Sequence, residues 1–316
     1  MSFRMVLLPP DIGADWPAKI RAVAPNAHVE AFARPEEARE AIVEADAAYG
    51  TVPPDLLARA KKLRWIAAPR AGLGGDWFYP ELVKHPVVVT NLRGIYNDHL
   101  AQHILAFVMA FARRFDVYLP RERAGWKRGP QMMDLQGKRA LIVGVGGAGA
   151  EAARLLSPLG IVVDGVDPRV TTPPPGMRNL ATPDRLDACL AEADFVILTT
   201  PEAPQTLRLF NAQRFAAMKR GSYFINIGRG ACVVTDDLVA ALRSGHLAGA
   251  GLDVVSPEPL PAEHPLWTMP GVLLTPHVAV YGAPYQGKRE AILLENCRRF
   301  ATGEPLINVV DKANWF

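Results

Sequence analysis

The stretch ALIVGVGGAGAEAARLLSPLG, residues 140–160, constrains the fold more than any other part of the chain. An apolar run of strand length passes without a linker into Gly144-x-Gly146-x-x-Gly149, and that loop opens a segment of helical periodicity. A second apolar run, Ile161–Asp167, ends in an acid 18 residues beyond Gly149. Strand, glycine turn, helix and acid-terminated strand form a βαβ unit of the dinucleotide-binding kind, which demands a parallel sheet. Gly144 permits the tight turn, Gly146 lets backbone approach a pyrophosphate, and Gly149 allows helix and strand to pack closely. With Gly147 and Ala148 they form the expected cofactor loop, whose free N–H groups face phosphate oxygens.

The same alternation continues to both sides of this unit. Before it, apolar runs at 5–8, 28–32, 47–50, 63–68 and 87–91 alternate with helical patterns near 17–24, 36–45, 55–61 and 77–84. After it, strand patterns at 194–200, 223–227, 248–254 and 272–275 alternate with helices at 183–191, 211–218 and 235–244, and a last helix covers 285–301. A long helix starts at Asn97-Asp98, either of which suits a cap, and ends near Arg113-Arg114. At 316 residues the chain suits two such α/β domains. A net charge of +3 excludes a strong electrostatic footprint for nucleic acid or anionic membrane. Cys189, Cys232 and Cys297 have no paired spacing, which fits a reducing compartment, and no run approaches membrane-spanning length. A cytoplasmic location is the expectation.

One strand pattern ends oddly: Tyr223–Ile227 runs straight into Gly228-Arg229-Gly230. On the carboxyl edge of an open α/β sheet, Arg229 offers a fork of donors to a small carboxylate or carbonyl. The flanking glycines are expected to let backbone pass close to cofactor and substrate. His277, after Pro276, is suited to proton transfer near neutral pH, and Glu258 is its natural carboxylate partner. Asp167 would accept hydrogen bonds from ribose hydroxyls and repel a 2′-phosphate, which favours NAD, while Arg169 two residues on leaves NADP open.

These motifs, with Leu135-Gln136-Gly137-Lys138, Gly251-Leu252-Asp253-Val254 and Pro257-Glu258-Pro259-Leu260, resemble the D-2-hydroxyacid dehydrogenase family. The resemblance runs from about Val89 to Val310 and is strongest over residues 135–278. It implies a Rossmann domain, residues 99–282, inserted in a flavodoxin-like substrate domain made of residues 1–98 and 283–316, with the active site in a cleft between them. It further implies Arg229, Glu258 and His277 as catalytic residues, with Arg229 and His277 touching both substrate and cofactor. Thr200, Pro201, Ile227, Gly228 and Asp253 would line the cofactor, Asp253 at the nicotinamide carboxamide. The implied reaction is hydride transfer to a short 2-oxo acid such as glyoxylate or hydroxypyruvate, in a homodimer joined through the long helix and an arm at Trp126. The related formate dehydrogenases carry glutamine where this chain has Glu258.

Departures from the family pattern cluster near the substrate. The usual small-residue turn reads Pro69-Arg70-Ala71-Gly72-Leu73-Gly74-Gly75-Asp76, so Arg70, Ala71, Gly72 and Leu73 are the expected substrate contacts, with the acid displaced. Gln102 replaces a frequent glutamate, and Trp77 and Tyr281 suggest an altered pocket. His99 and His103 have zinc-pair spacing but lack the HExxH glutamate and a third ligand, so no metal is expected. No Gly-x-Ser-x-Gly elbow supports a hydrolase. The alternative function is an NAD(H)-binding regulatory protein of the same fold without turnover.

Overall fold

A computed structural model describes residues 2–75, 77–119, 128–281 and 285–315; Asp76 and Trp126 lie outside them. The chain divides into two compact units, Met1–Ile95 with Pro284–Phe316, and Tyr96–Ala283.

The first unit is built on five parallel strands, β1 (Phe3–Leu7), β2 (Ala27–Ala31), β3 (Ala47–Tyr49), β4 (Trp65–Ala67) and β5 (Val88–Thr90), in the order β2-β1-β3-β4-β5. That is the flavodoxin-like order, with one reversal beside β1. The central strands are buried on both faces, as a parallel sheet covered by helices requires. One face packs Phe3, Met5, Trp16 and Trp65 against the helix Gln286–Thr302, through Leu293, Cys297 and Phe300. The tail then returns to the sheet edge, where Thr90 and Val309 form an antiparallel bridge. The helical pattern at 36–45 is realised as two short 3-10 turns, Pro35–Ala38 and Ala41–Glu44.

The second unit carries seven parallel strands: β6 (Arg139–Val143), β7 (Val162–Val166), β8 (Met177–Ala181), β9 (Phe195–Leu198), β10 (Tyr223–Asn226), β11 (Gly249–Leu252) and β12 (Val272–Leu274). Their order is β12-β11-β10-β9-β6-β7-β8, so the winding reverses between β6 and β9. This is the Rossmann arrangement, extended by one strand. The edge strand β8 is absent from the sequence expectation: of MRNLA only Met177 is buried, and no apolar run marks it.

The helix Asn97–Ala112 lies across this sheet and buries Ile104, Phe107, Val108 and Phe111 in the core. Its cap differs from expectation. Tyr96 holds the N-cap position, and the Asn97 side chain instead occupies the space over Gly147, where a Cβ would collide with it. Among the described residues no helix is long and apolar enough to cross a membrane.

Candidate active site

Because all seven strands of the second unit run parallel, their carboxyl ends share one edge, and ligands of such sheets bind outside that edge at the reversal point. Gly144 follows β6 and Thr200 follows β9, the two strands at the reversal. Gly144 has φ +97°, and a Cβ there would stand 2.9 Å from the Thr200 nitrogen. A Cβ on Gly149 would strike the Gly144 carbonyl and the Ile142 side chain, so this glycine closes the helix onto the strand. Gly146 differs from both: nothing lies within 4 Å of where its Cβ would be. It caps the helix Gly147–Leu156, leaving open space at a helix start that offers backbone N–H groups and a positive dipole end. Exposed Gly146 and Gly147, half-buried Ala148 and the open cradle above Gly146 fit a dinucleotide pyrophosphate.

Asp167, 4% exposed, does more for the protein than its sequence position suggests. One carboxylate oxygen accepts from the Val145 N–H at 2.9 Å, and the other accepts from Arg169 and Val170 N–H at 2.8 and 3.0 Å. It therefore ties the glycine loop to the turn after β7. Of roughly four acceptor sites on a carboxylate, three are taken by backbone. Arg169 stands exposed on this turn.

The loop after β10 is tied from within. Asn226, 1% exposed, accepts from the Gly228 N–H at 3.0 Å and donates to the Arg229 carbonyl at 3.1 Å, clamping the Ile227–Arg229 turn. The motif Asn226-Ile227-Gly228-Arg229-Gly230 carries no expected role for this residue, although a polar side chain inside an apolar run is a usable signal. Half-buried Arg229 donates from Nη1 to the Gly228 carbonyl at 2.7 Å. The flanking glycines are required by the packing of the loop itself. A Cβ on Gly228 would lie 2.5 Å from the Thr200 carbonyl oxygen, and one on Gly230 would collide with the Val255 carbonyl. They fit the arginine loop between two neighbouring backbone segments. Cys232, just beyond, is buried, and burial pushes its thiol up.

His277 and Glu258 meet. Nδ1 of the histidine lies 2.6 Å from Oε1 of the glutamate, with both side chains a little under half exposed. Glu258 sits in the proline loop after β11, and His277 follows β12 with φ +52°, a left-handed conformation costing a non-glycine residue about 1–3 kcal/mol. Asp253 holds that turn. Its carboxylate, 2% exposed, accepts from the Thr275 hydroxyl at 2.7 Å and from the Val278 and Ala279 N–H groups at 2.9 and 3.1 Å, while its carbonyl accepts from the His277 N–H at 2.8 Å. β10, β11 and β12 are adjacent, so the loops that carry Arg229 and His277 leave the same sheet edge with one strand between them. Ile227 is buried, and Thr200 and Pro201 line the edge beside the reversal.

In the first unit, the carbonyls of Arg70 and Ala71 accept from the Leu92 N–H at 3.1 Å and the Asn91 Nδ2 at 2.8 Å. Trans peptide geometry then turns the N–H groups of Ala71 and Gly72 the opposite way. Arg70 is exposed, whereas Leu73 is buried. Trp77 is buried too, edge-to-face with Phe78, in the core of that unit. Tyr281 is 86% exposed. His103 contacts Thr275 and Asp253 rather than His99, and the described residues contain no cluster of three metal-ligating side chains.

A reversed parallel sheet with an open glycine cradle, an arginine loop and a histidine–carboxylate pair on one edge is the arrangement of a dinucleotide-binding protein. Comparison with known proteins agrees. Residues 105–279 match the model of the D-isomer specific 2-hydroxyacid dehydrogenase NAD-binding domain. Glyoxylate/hydroxypyruvate reductase A of Escherichia fergusonii is 30% identical over 280 residues, covering 85% of this chain and 86% of that protein. Among solved structures, a D-isomer specific 2-hydroxyacid dehydrogenase of Xanthobacter autotrophicus Py2 in complex with NADPH and MES superposes with a TM-score of 0.85 at 31% identity, covering 100% of both chains. The NADPH-dependent glyoxylate/hydroxypyruvate reductase of Sinorhizobium meliloti, in complex with NADP and sulfate, gives 0.84 at 28% identity, again covering 100% of both chains. The chain belongs to the D-isomer specific 2-hydroxyacid dehydrogenase family.

Proposed function

We propose that this protein reduces a short 2-oxo acid of the glyoxylate or hydroxypyruvate type to the D-2-hydroxy acid, with NADPH as the reductant. The observation that carries the reading is the 2.6 Å contact between His277 and Glu258 on the sheet edge that also bears Arg229. When bound, the reduced nicotinamide supplies a hydride to the carbonyl carbon. Arg229 grips the carboxylate and polarises the carbonyl with its guanidinium fork. In the imidazolium form of His277, Nδ1–H donates to Glu258 and the Nε2–H delivers its proton to the carbonyl oxygen, leaving the ring neutral with its remaining proton on Nδ1. The N–H groups of Ala71, Gly72 and Leu73 hold the carboxylate, with Arg70 adding positive charge. Gly144, Gly146, Gly147, Ala148, Gly149, Thr200, Pro201, Ile227 and Gly228 form the cofactor surface, and Asp253 orients the carboxamide side.

The preference for NADPH departs from the weight that Asp167 first gave to NAD. Three backbone donors partly offset its charge and leave it little capacity for ribose hydroxyls, and Arg169 stands exposed beside it. The two structural relatives named above carry NADPH or NADP. We further propose a cytoplasmic location, consistent with three free cysteines, and a homodimer, as the family resemblance implies.

Initial rates with glyoxylate, hydroxypyruvate, pyruvate and phenylpyruvate, each with NADPH and NADH, test this. Multiple turnovers, faster with NADPH and with the two-carbon or hydroxylated three-carbon acid, are expected. Cofactor binding without turnover on any acid would replace the enzyme reading with a regulatory one.

A further inference from the structure

The helix Asn97–Ala112 sends one polar side chain toward the proposed catalytic edge. His103, whose side chain is 21% exposed, places Nε2 3.0 Å from the Thr275 hydroxyl and 3.8 Å from Asp253 Oδ1, with its ring edge-to-face on Phe107 at 4.9 Å. The chain of contacts has only one proton order. The single hydroxyl hydrogen of Thr275 goes to the Asp253 carboxylate at 2.7 Å, because an ionised carboxylate only accepts. The hydroxyl oxygen must therefore accept, and His103 must donate from Nε2. The same Asp253 oxygen that takes the Thr275 proton also takes the Val278 N–H, and its partner oxygen takes the Ala279 N–H. These are the two residues that follow His277 and hold it at φ +52°.

We propose that His103 and Thr275 are positioning residues for the reaction: they hold Asp253 in the rotamer that clamps the left-handed turn of His277, and so aim the imidazole. Neither touches a reacting atom. Val278 and Ala279 N–H groups need a carboxylate at one place to keep the turn, and the Thr275 hydroxyl, which follows β12 and is itself held by His103 of the long helix, donates to one oxygen of that carboxylate. Loss of the hydroxyl removes one of the three hydrogen bonds on the Asp253 carboxylate, loosens its grip on Val278 and Ala279, and lets the strained turn relax toward ordinary φ. The ring is then no longer aimed at the carbonyl oxygen, although Glu258 still holds Nδ1. A misplacement on that scale lowers the chemical step and leaves binding of the acid, which rests on Arg229, nearly untouched.

This inference rests on the reading of His277 as the proton donor, and the experiment separates the two. Thr275→Val, Thr275→Ser, His103→Leu, His103→Gln and His277→Asn are made in the full chain, and kcat and KM are measured with NADPH and the best acid of the panel above. Thr275→Val and His103→Leu should each lower kcat by roughly 10–100-fold with KM changed less than about threefold. Thr275→Ser and His103→Gln, which keep the hydroxyl and an N–H donor, should recover most of that loss, and the Val/Leu double variant should lose no more than the worse single one. A parental kcat in Thr275→Val and His103→Leu, a loss confined to KM, or a failure of serine to rescue overturns the proposal while a crippled His277→Asn leaves the proton-donor reading standing. Undiminished turnover in His277→Asn overturns that reading instead. Should the valine or leucine variant not fold, long-range ¹⁵N–¹H correlation in the parental protein decides: the neutral His103 ring must carry its proton on Nε2, and a proton on Nδ1 overturns the inference.

Discussion

Replacing Gly228 by alanine tests how tightly the arginine loop is fitted. A Cβ there would lie 2.5 Å from the Thr200 carbonyl oxygen and 3.1 Å from the Thr200 nitrogen, about 0.9 Å short of the 3.4 Å at which ordinary contact begins. Both neighbours are backbone, so no side chain can swing aside. Gly228 is itself pinned: its N–H donates to the Leu198 carbonyl at 3.1 Å and to Asn226 Oδ1 at 3.0 Å, and its carbonyl accepts from Arg229 at 2.7 Å. Relieving the clash moves either the loop or the Thr200–Pro201 segment by most of an ångström. Overpacking of this kind costs about 1–3 kcal/mol of stability. A shift near 1 Å in a positioning group costs about 100-fold in rate, equivalent to roughly 2.7 kcal/mol of activation free energy. Gly287→Ala is the control, since nothing lies within 4 Å of its Cβ and it sits in the helix Gln286–Thr302, where alanine is favoured by up to about 1 kcal/mol. Thermal melts and steady-state kinetics, followed by loss of reduced-nicotinamide absorbance, are the assays. A Gly228→Ala enzyme with parental kcat/KM and an unchanged Tm would refute the argument that these contacts govern the placement of Arg229.

Three further outcomes are expected. Asp167→Asn sets an amide group against three backbone donors in a buried site; leaving one unsatisfied costs about 1–3 kcal/mol, read as a Tm fall of roughly 2–4 °C per kcal/mol, whereas an unchanged Tm would mean the carboxylate is not a brace. Glu258→Gln keeps a neutral acceptor for His277 but removes the charge, and should lower kcat more than KM; equal rates would show that the carboxylate is dispensable. Glu295 and Glu304 are lowered from 4.5 to about 2 by their hydrogen bonds to Arg298, with Arg299 adding to Glu295. Because the folded values are depressed, their stabilisation is full above pH 4.5 and is lost as pH falls toward about 2. Glu304 is exposed and Glu295 partly so, so the effect is small and screened by salt, and Glu304→Gln should flatten the acid limb of a Tm–pH curve.

What could be read from the chain, and what could not, follows the range of the interactions. Strands such as Tyr223–Asn226 are buried on both faces and announce themselves as apolar runs, and the Gly144–Gly149 loop carries its backbone demands in its own composition. The edge strand Met177–Ala181 buries one residue and so leaves no such mark. The pattern at 36–45 has helical spacing, yet the backbone there closes only two separate 3-10 turns. His277 and Glu258 stood out through their motifs, whereas the partnership of His103 with Thr275 spans 172 residues and has no local signature. Asp167 was visible as an acid at the right distance from the glycines, but not the three amides that occupy it.

The first unit takes its last layer, Leu293, Cys297 and Phe300, from the far end of the polypeptide. During synthesis the segment Met1–Ile95 has only the Trp16 and Ile20 side of this cluster, and 188 further residues, Tyr96–Ala283, are made before Leu293, Cys297 and Phe300 can complete the cover of Phe3, Met5 and Trp65. The nucleotide-binding unit is contiguous and can close during that interval, so the N-terminal segment is the part of the nascent chain most exposed to chaperones and to aggregation.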